Sequence, residues 1–215
     1  MHVLTQDDDS WVYGLHFHEG ILFTAHRNAT VAVWDICANH DDCDDHAPKL
    51  LSSIPMTDGV GATEVTHVRV VGSKLFALHG KTMSCWKIPS DGKSSTRHKP
   101  SVRQRKSIID PTLASSESSP RNLHQLKLAA KFDEHTGAIS GFDVCGDVLI
   151  TCGEDNTVRV WQARTGRCAI LCRGHTQKPS TVVPIGNPNE GTAFVVSSGA
   201  DKTLKVWNVV QVKTD

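Results

Sequence analysis

The chain has 215 residues, and its 23 Lys and Arg balance 23 Asp and Glu, so the formal net charge is zero. Such a balance gives no broad attraction to nucleic acid or to an anionic membrane surface. No apolar run approaches the ~18 residues a membrane-spanning helix needs, and the length suffices for one good core or two small ones.

The opening segment, "MHVLTQDDDS", is acidic and has no apolar centre, so it does not read as a secretory signal; residues 1–6 read as a short outer strand. Next comes "GLHFHEGILFTAHRNATVAVWD" (14–35), a series of short apolar runs separated by turn residues. The loop "ANHDDCDDH" (38–46) follows. His40, Cys43 and His46, with Asp41, Asp42, Asp44 and Asp45, invite a metal reading. Their spacing is not a recognised ligand pair, so the loop reads as solvated acid and no metal is expected.

Residues 65–87, "VTHVRVVGSKLFALHGKTMSCWK", form a second strand-rich unit. Residues 89–125 are rich in Ser, Pro and basic side chains and lack apolar periodicity, which predicts a disordered insertion. Lys93, Arg97, Lys99, Arg103, Arg105 and Lys106 make it basic. No aromatic residues interleave them to stack bases, so nucleic acid is not the expected partner. Ser107 and Ser119 read as weakly specified kinase sites.

The third unit is 137–162 and the fourth 180–208. "FDVCGDVLIT" is two apolar runs broken by Gly-Asp, a hairpin signal. "GEDNTVRVW" turns at Glu-Asp-Asn and then alternates Val158 and Val160 with Thr157, Arg159 and Trp161, the period of a strand. "RCAILCRGH" (167–175) adds a fourth short strand. Helical periodicity is absent. The seven cysteines are scattered, odd in number and without C-x-x-C, which favours reduced thiols in the cytosol or nucleus. Cys145 and Cys152 lie in apolar runs and read as small core residues.

Aligned on Trp34, Trp86, Trp161 and Trp207, the four units repeat. "TCGEDNTVRVW" (151–161) and "SSGADKTLKVW" (197–207) share an Asp six residues before the Trp and end Thr, aliphatic, basic, Val, Trp. With "GHT" (174–176), "EHT" (134–136) and "VWD" (33–35), the chain resembles the WD40 family of β-propellers, except in 89–125. The resemblance implies an all-β propeller of about four blades. Blades one and two with the N-terminal outer strand would fill 1–88, and blades three and four 126–215.

A propeller takes about 4–8 blades to close. Closure through the N-terminal strand, a fragment of a larger ring, and a half ring completed by another chain all remain open. An incomplete or partner-completed ring is the favoured reading.

The resemblance also implies buried tetrads: His135, Thr151, Asp155 and Trp161, then His175, Ser197, Asp201 and Trp207. Asn28 replaces the Asp in repeat one and no His precedes its first strand; in repeat two the tetrad is not expected to form. An Asp, a His and a hydroxyl that recur in every good repeat are structural, so no catalytic residue and no cofactor are expected. Beside the turns between second and third strands stand His26, Arg27, His79, Lys81, Glu154 and Lys202, the candidate contacts for a protein or peptide partner. The function expected is a non-catalytic interaction scaffold. The alternative is the substrate-recognition propeller of a ubiquitin ligase or another multi-subunit complex.

Overall fold

The computed structural model describes residue 4 and residues 10–36, 48–56, 64–89, 126–187 and 192–209. The expectations for residues 1–3 and 5–9, the acidic loop, the insertion from residue 90 to 125 and the tail from residue 210 lie outside the described residues.

Fifteen strands are described, in four antiparallel sheets. Blade one is β1 (Val12–His18), β2 (Ile21–His26), β3 (Thr30–Asp35) and β4 (Lys49–Pro55). Blade two is β5 (His67–Val71), β6 (Lys74–His79), β7 (Thr82–Lys87) and β8 (Lys127–Phe132). Its last two strands flank the long insertion. Blade three is β9 (Ile139–Cys145), β10 (Val148–Gly153), β11 (Thr157–Gln162) and β12 (Cys168–Arg173). Blade four comprises β13 (Pro179–Asn187), β14 (Thr192–Gly199) and β15 (Leu204–Asn208). No helix occurs among the described residues. Tight turns join first and second strands; at Glu19-Gly20 both residues have positive φ (47° and 83°), the twist a two-residue hairpin prefers.

Each sheet has a front, turned to the preceding blade, and a back, turned to the next. Three cores fill the junctions, always back against front. Phe23, Val31 and Val33 of blade one pack on Val68, Val70, Leu75 and Trp86 of blade two. Phe76, Met83 and Phe132 continue from blade two onto Val144, Leu149 and Trp161 of blade three. Ile150, Val158 and Val160 then pack on Val182 and Val195 of blade four. Burying each such side chain is worth ~1.5–3 kcal/mol, so the junctions stabilise blades that alone are thin sheets. Hence Thr157 and Arg159 are buried beside their apolar neighbours in β11. Alternation there separates two buried faces, one of which takes polar groups.

Close approach also shapes the inner strands. A Cβ on Gly141 would lie 2.8 Å from the Ser180 carbonyl oxygen, and one on Gly14 2.8 Å from that of Thr66. Blades two and three are tied by ion pairs, Arg69 to Asp143 at 2.5 Å and Lys74 to Asp147 at 2.6 Å, with Arg164 on the other Asp147 oxygen at 2.7 Å. The Lys74 ammonium, followed by Arg164, holds Asp147 below the usual carboxylate range. Cys152 is buried in the core, whereas Cys145 is half-exposed at the end of β9, so it is not a core residue.

Candidate functional site

The recurring polar cluster comes first, because it sets the turns that carry the exposed residues. In blade three, Trp161 Nε1–H donates to Thr151 Oγ1 (2.8 Å), whose hydroxyl meets His135 Nε2 (2.7 Å), and His135 Nδ1 meets Asp155 Oδ2 (2.8 Å). A carboxylate can only accept, so Nδ1 carries the proton and the Thr151 hydroxyl donates to Nε2. The Thr136 N–H also donates to Asp155 Oδ2 (3.1 Å), and the Thr157 N–H (3.1 Å) and hydroxyl (2.7 Å) donate to Oδ1.

Blade four repeats the arrangement. Trp207 donates to Ser197 (2.8 Å), Ser197 meets His175 (2.7 Å), and His175 meets Asp201 (2.8 Å). Thr176 and Thr203 donate to Asp201 as their counterparts do to Asp155. Thr151 and Ser197 are completely buried, so neither hydroxyl can meet a substrate.

Blades one and two solve the same problem differently. In blade one, Trp34 donates to Thr24 Oγ1 (3.0 Å), and Thr24 meets His26 Nε2 at 2.8 Å. In blade two, Trp86 donates to Ser84 Oγ (2.8 Å), and Ser84 meets His79 Nε2 at 2.9 Å. The imidazole comes from the second strand itself, not from the loop before the first. Gly153 and Gly199 hold the places equivalent to His26 and His79. A Cβ on Gly153 would lie 3.0 Å from His135 Nδ1, and one on Gly199 2.8 Å from His175 Nδ1. The loop histidine therefore occupies space that a side chain on the strand would need.

This arrangement corrects one expectation. His26 and His79 are buried, so they are hydrogen-bonding members of the blades and not contacts for a partner. Repeat two, which lacks the Asp, holds no full tetrad; a Trp–Ser–His chain stands in its place. The sequence carried the signal: "TAH" (24–26) and "ALH" (77–79) stand where "TCG" (151–153) and "SSG" (197–199) do in the later repeats.

Burial, opposed by the Asp155 hydrogen bond, lowers the His135 pKa below the ordinary histidine value. For Asp155, burial pushes upward but the Thr157 and His135 hydrogen bonds outweigh it, so its pKa is lowered. His16, whose Nε2 meets the Val70 carbonyl at 3.1 Å, is lowered by burial as well. A lowered pKa means fewer bound protons folded than unfolded, so stability falls with pH through each window. Thermal stability should decline from pH 7 to 5, the histidine window, and again below about pH 4. His135→Asn should flatten the first decline, leaving the His16 share. Melting curves of wild type and variant that stay parallel from pH 7 to 5 would refute this.

The turns above the cluster carry the exposed residues. Arg27, Lys81, Glu154 and Lys202 are all exposed, one per blade. Ala29, Asn156 and Lys202 hold φ near +60° at matching turn positions (61°, 62° and 62°), while blade two uses Gly80 (φ 59°) in a turn one residue shorter. Glu154 pairs with Lys178 at 3.1 Å across an exposed surface. Sequence reasoning missed Trp11. It is 65% exposed, the Arg27 guanidinium lies 5.5 Å from its ring centroid, and its carbonyl accepts the Arg27 N–H (3.0 Å). Tyr13 is exposed two residues on. Its one sequence signal was a Trp outside the repeated position. Among the described residues, no group of His, Cys, Asp and Glu is placed to hold a metal ion, and no described helix is long and apolar enough to cross a membrane.

Antiparallel sheets of three or four strands packed back to front, each with a Trp–hydroxyl–His chain, define a propeller-blade repeat protein. Residues 126–162 and 166–208 match the family model "WD domain, G-beta repeat". The chain carries repeats of the WD40 family. It is 31% identical over 127 residues to the WD repeat-containing protein pop1 of Schizosaccharomyces pombe, covering 46% of this chain and 16% of that one. It is 31% identical over 75 residues to the F-box/WD repeat-containing protein sel-10 of Caenorhabditis elegans, covering 35% of this chain and 12% of that one. The chain thus spans less than a fifth of either relative.

Among solved structures, the computationally designed Ika4 protein is similar, with TM-score 0.62 at 17% identity over 95% of this chain and 94% of that one. The designed Ika8 protein matches with TM-score 0.58 at 16% identity, over 94% of this chain but 47% of its own.

Proposed function

We propose that the chain is a non-catalytic scaffold that engages a protein partner on the face carrying the turns between second and third strands. The observation that carries this reading is the exposed Trp11–Arg27 stack. Tryptophan, tyrosine and arginine dominate interface hot spots, because they offer large contact areas with a polar handle. Lys81, Glu154 and Lys202 would form a rim of mixed charge around it, suited to orientation and on-rate more than to affinity. The cytosol or nucleus is the compartment proposed. Cys85, Cys145, Cys152, Cys168 and Cys172 are free, and burial pushes the thiols of Cys85, Cys152 and Cys172 up to about 11, which makes them inert.

A second reading is favoured by the relative with F-box in its name. It makes the chain the substrate-recognition part of a multi-subunit complex such as a ubiquitin ligase.

Affinity purification with mass spectrometry tests the face. Partners recovered by the wild type should be lost with Trp11→Ala and with Arg27→Glu, at least tenfold for a hot spot worth ~2 kcal/mol. They should persist with Arg167→Glu, whose side chain is exposed in the turn before β12, on the opposite side of the blades. Equal loss with all three, or with none, would overturn the assignment of this face.

A further inference from the structure

Among the described residues, nothing covers the outer face of blade one or of blade four, and the two faces differ in kind. Blade one presents a front and blade four a back. On the front of blade one, Leu15 is 69% and Phe17 52% exposed. By register these match Val68 and Val70 of blade two, which are buried against blade one. Leu15 and Val68 each pair with the residue at the relay position of the second strand, Thr24 and Ala77; Phe17 and Val70 pair two residues earlier, with Leu22 and Leu75.

On the back of blade four, Val183 and Ile185 from β13, Phe194 and Val196 from β14, and Leu204 and Val206 from β15 share one face. Leu204 and Val206 are 74% and 67% exposed. Their counterparts in blade three, Val158 and Val160, are fully buried under blade four. An apolar sheet face of this extent on one side of a chain marks an interaction surface.

From this we infer that a second copy of the chain covers both faces, head to tail. The back of blade four in each copy receives the front of blade one of the other. This repeats the packing used at all three junctions inside the chain, so each open face meets the kind of surface its internal counterparts already meet. A contact between unlike faces generates a ring when the rotation closes, and two copies close it with two such contacts. The fold matches about half of the larger designed Ika8 chain, at TM-score 0.58, as an arc of a larger ring would. The inference does not depend on the turn face proposed above, since Trp11 and Arg27 lie at the rim and Leu15 and Val206 lie within sheets.

Light scattering on the purified chain, with Leu15→Glu and Val206→Glu variants, tests it. The wild type should run at twice the chain mass at micromolar concentration. Each variant alone should be monomeric, with dimerisation weakened at least about 30-fold, the effect of losing a hot spot. An equimolar mixture should regain 1:1 dimers, because the intact back of Leu15→Glu still meets the intact front of Val206→Glu. Circular dichroism checks that the variants fold; Phe17→Ser and Leu204→Ser replace them if a charge upsets folding. A monomeric wild type, variants that still dimerise, or a mixture that stays monomeric would each overturn the proposal. The last two results would mean a contact between like faces, or one elsewhere.

Discussion

Asp155→Ala will lower the unfolding free energy by about 2–3 kcal/mol, the cost of stranding buried donors around a lost carboxylate. The Asp155 side chain is 7% exposed and that of His135 completely buried. Without the carboxylate, the His135 Nδ1–H faces no acceptor and no water. Thr136 and Thr157 lose their acceptor too, but water can reach those turn groups, so the imidazole dominates. For a chain of this size the loss corresponds to roughly 5–10 °C in melting temperature. Asp155→Asn should recover only part, because the amide NH2 must face either the His135 Nδ1–H or the Thr157 N–H. Asp201→Ala acts in the same direction in blade four, where Asp201 meets the same set of donors.

Asn28→Ala should cost less, about 0.5–1 kcal/mol, the worth of ordinary hydrogen bonds. Asn28 Oδ1 accepts from the Thr30 N–H (3.2 Å) and hydroxyl (2.6 Å) in an exposed turn, and the blade-one imidazole comes from β2. Differential scanning fluorimetry on the three alanine variants decides the matter. Comparable small shifts for all of them would mean that the tetrads add nothing beyond a turn.

The fold and the two full tetrads were legible because both are local. Two-residue alternation, Gly-Asp turns and a Trp at a fixed offset from an Asp all lie within about 25 residues of sequence. The relays of blades one and two were harder to see for a physical reason. What the blade requires is a hydroxyl under the indole and an imidazole beside the hydroxyl, and several backbone positions can supply each. Reading for the loop histidine and the Asp found two blades and mistook His26 and His79 for surface residues. Both stand at the mouth of a turn, and only the packing decides whether such a side chain points inward. Trp11 was illegible for the opposite reason. An exposed tryptophan leaves no periodic trace, and its stack on Arg27 crosses β1 and β2. An incomplete ring was the favoured reading, but which side chains its end faces expose could not be read, because Val206 and Val160 are the same residue in the same motif. They differ only in that blade four packs on Val160, whereas no described residue packs over Val206.

The second large effect lies in blade two and tests whether the hydroxyl can change strands. Blade one carries it on Thr24 of β2; blade two has Ala77 at that place and carries it on Ser84 of β7, directly across the ladder. Both hydroxyls take the indole N–H and meet an imidazole, at 2.8 and 2.9 Å in blade two. Ser84→Ala should therefore cost about 1–3 kcal/mol, since Trp86 Nε1–H and His79 lose a buried partner together. Ala77→Thr alone should also destabilise, because it crowds a filled core with a second hydroxyl beside the first. The double variant restores one hydroxyl between the same indole and imidazole, as blade one has it. It should regain at least half of what Ser84→Ala lost. The measure is a double-mutant cycle from urea unfolding, with a favourable coupling between the two sites of more than about 1 kcal/mol. Additive losses would mean that Ser84 serves packing rather than the relay, and that the four blades do not share one polar design.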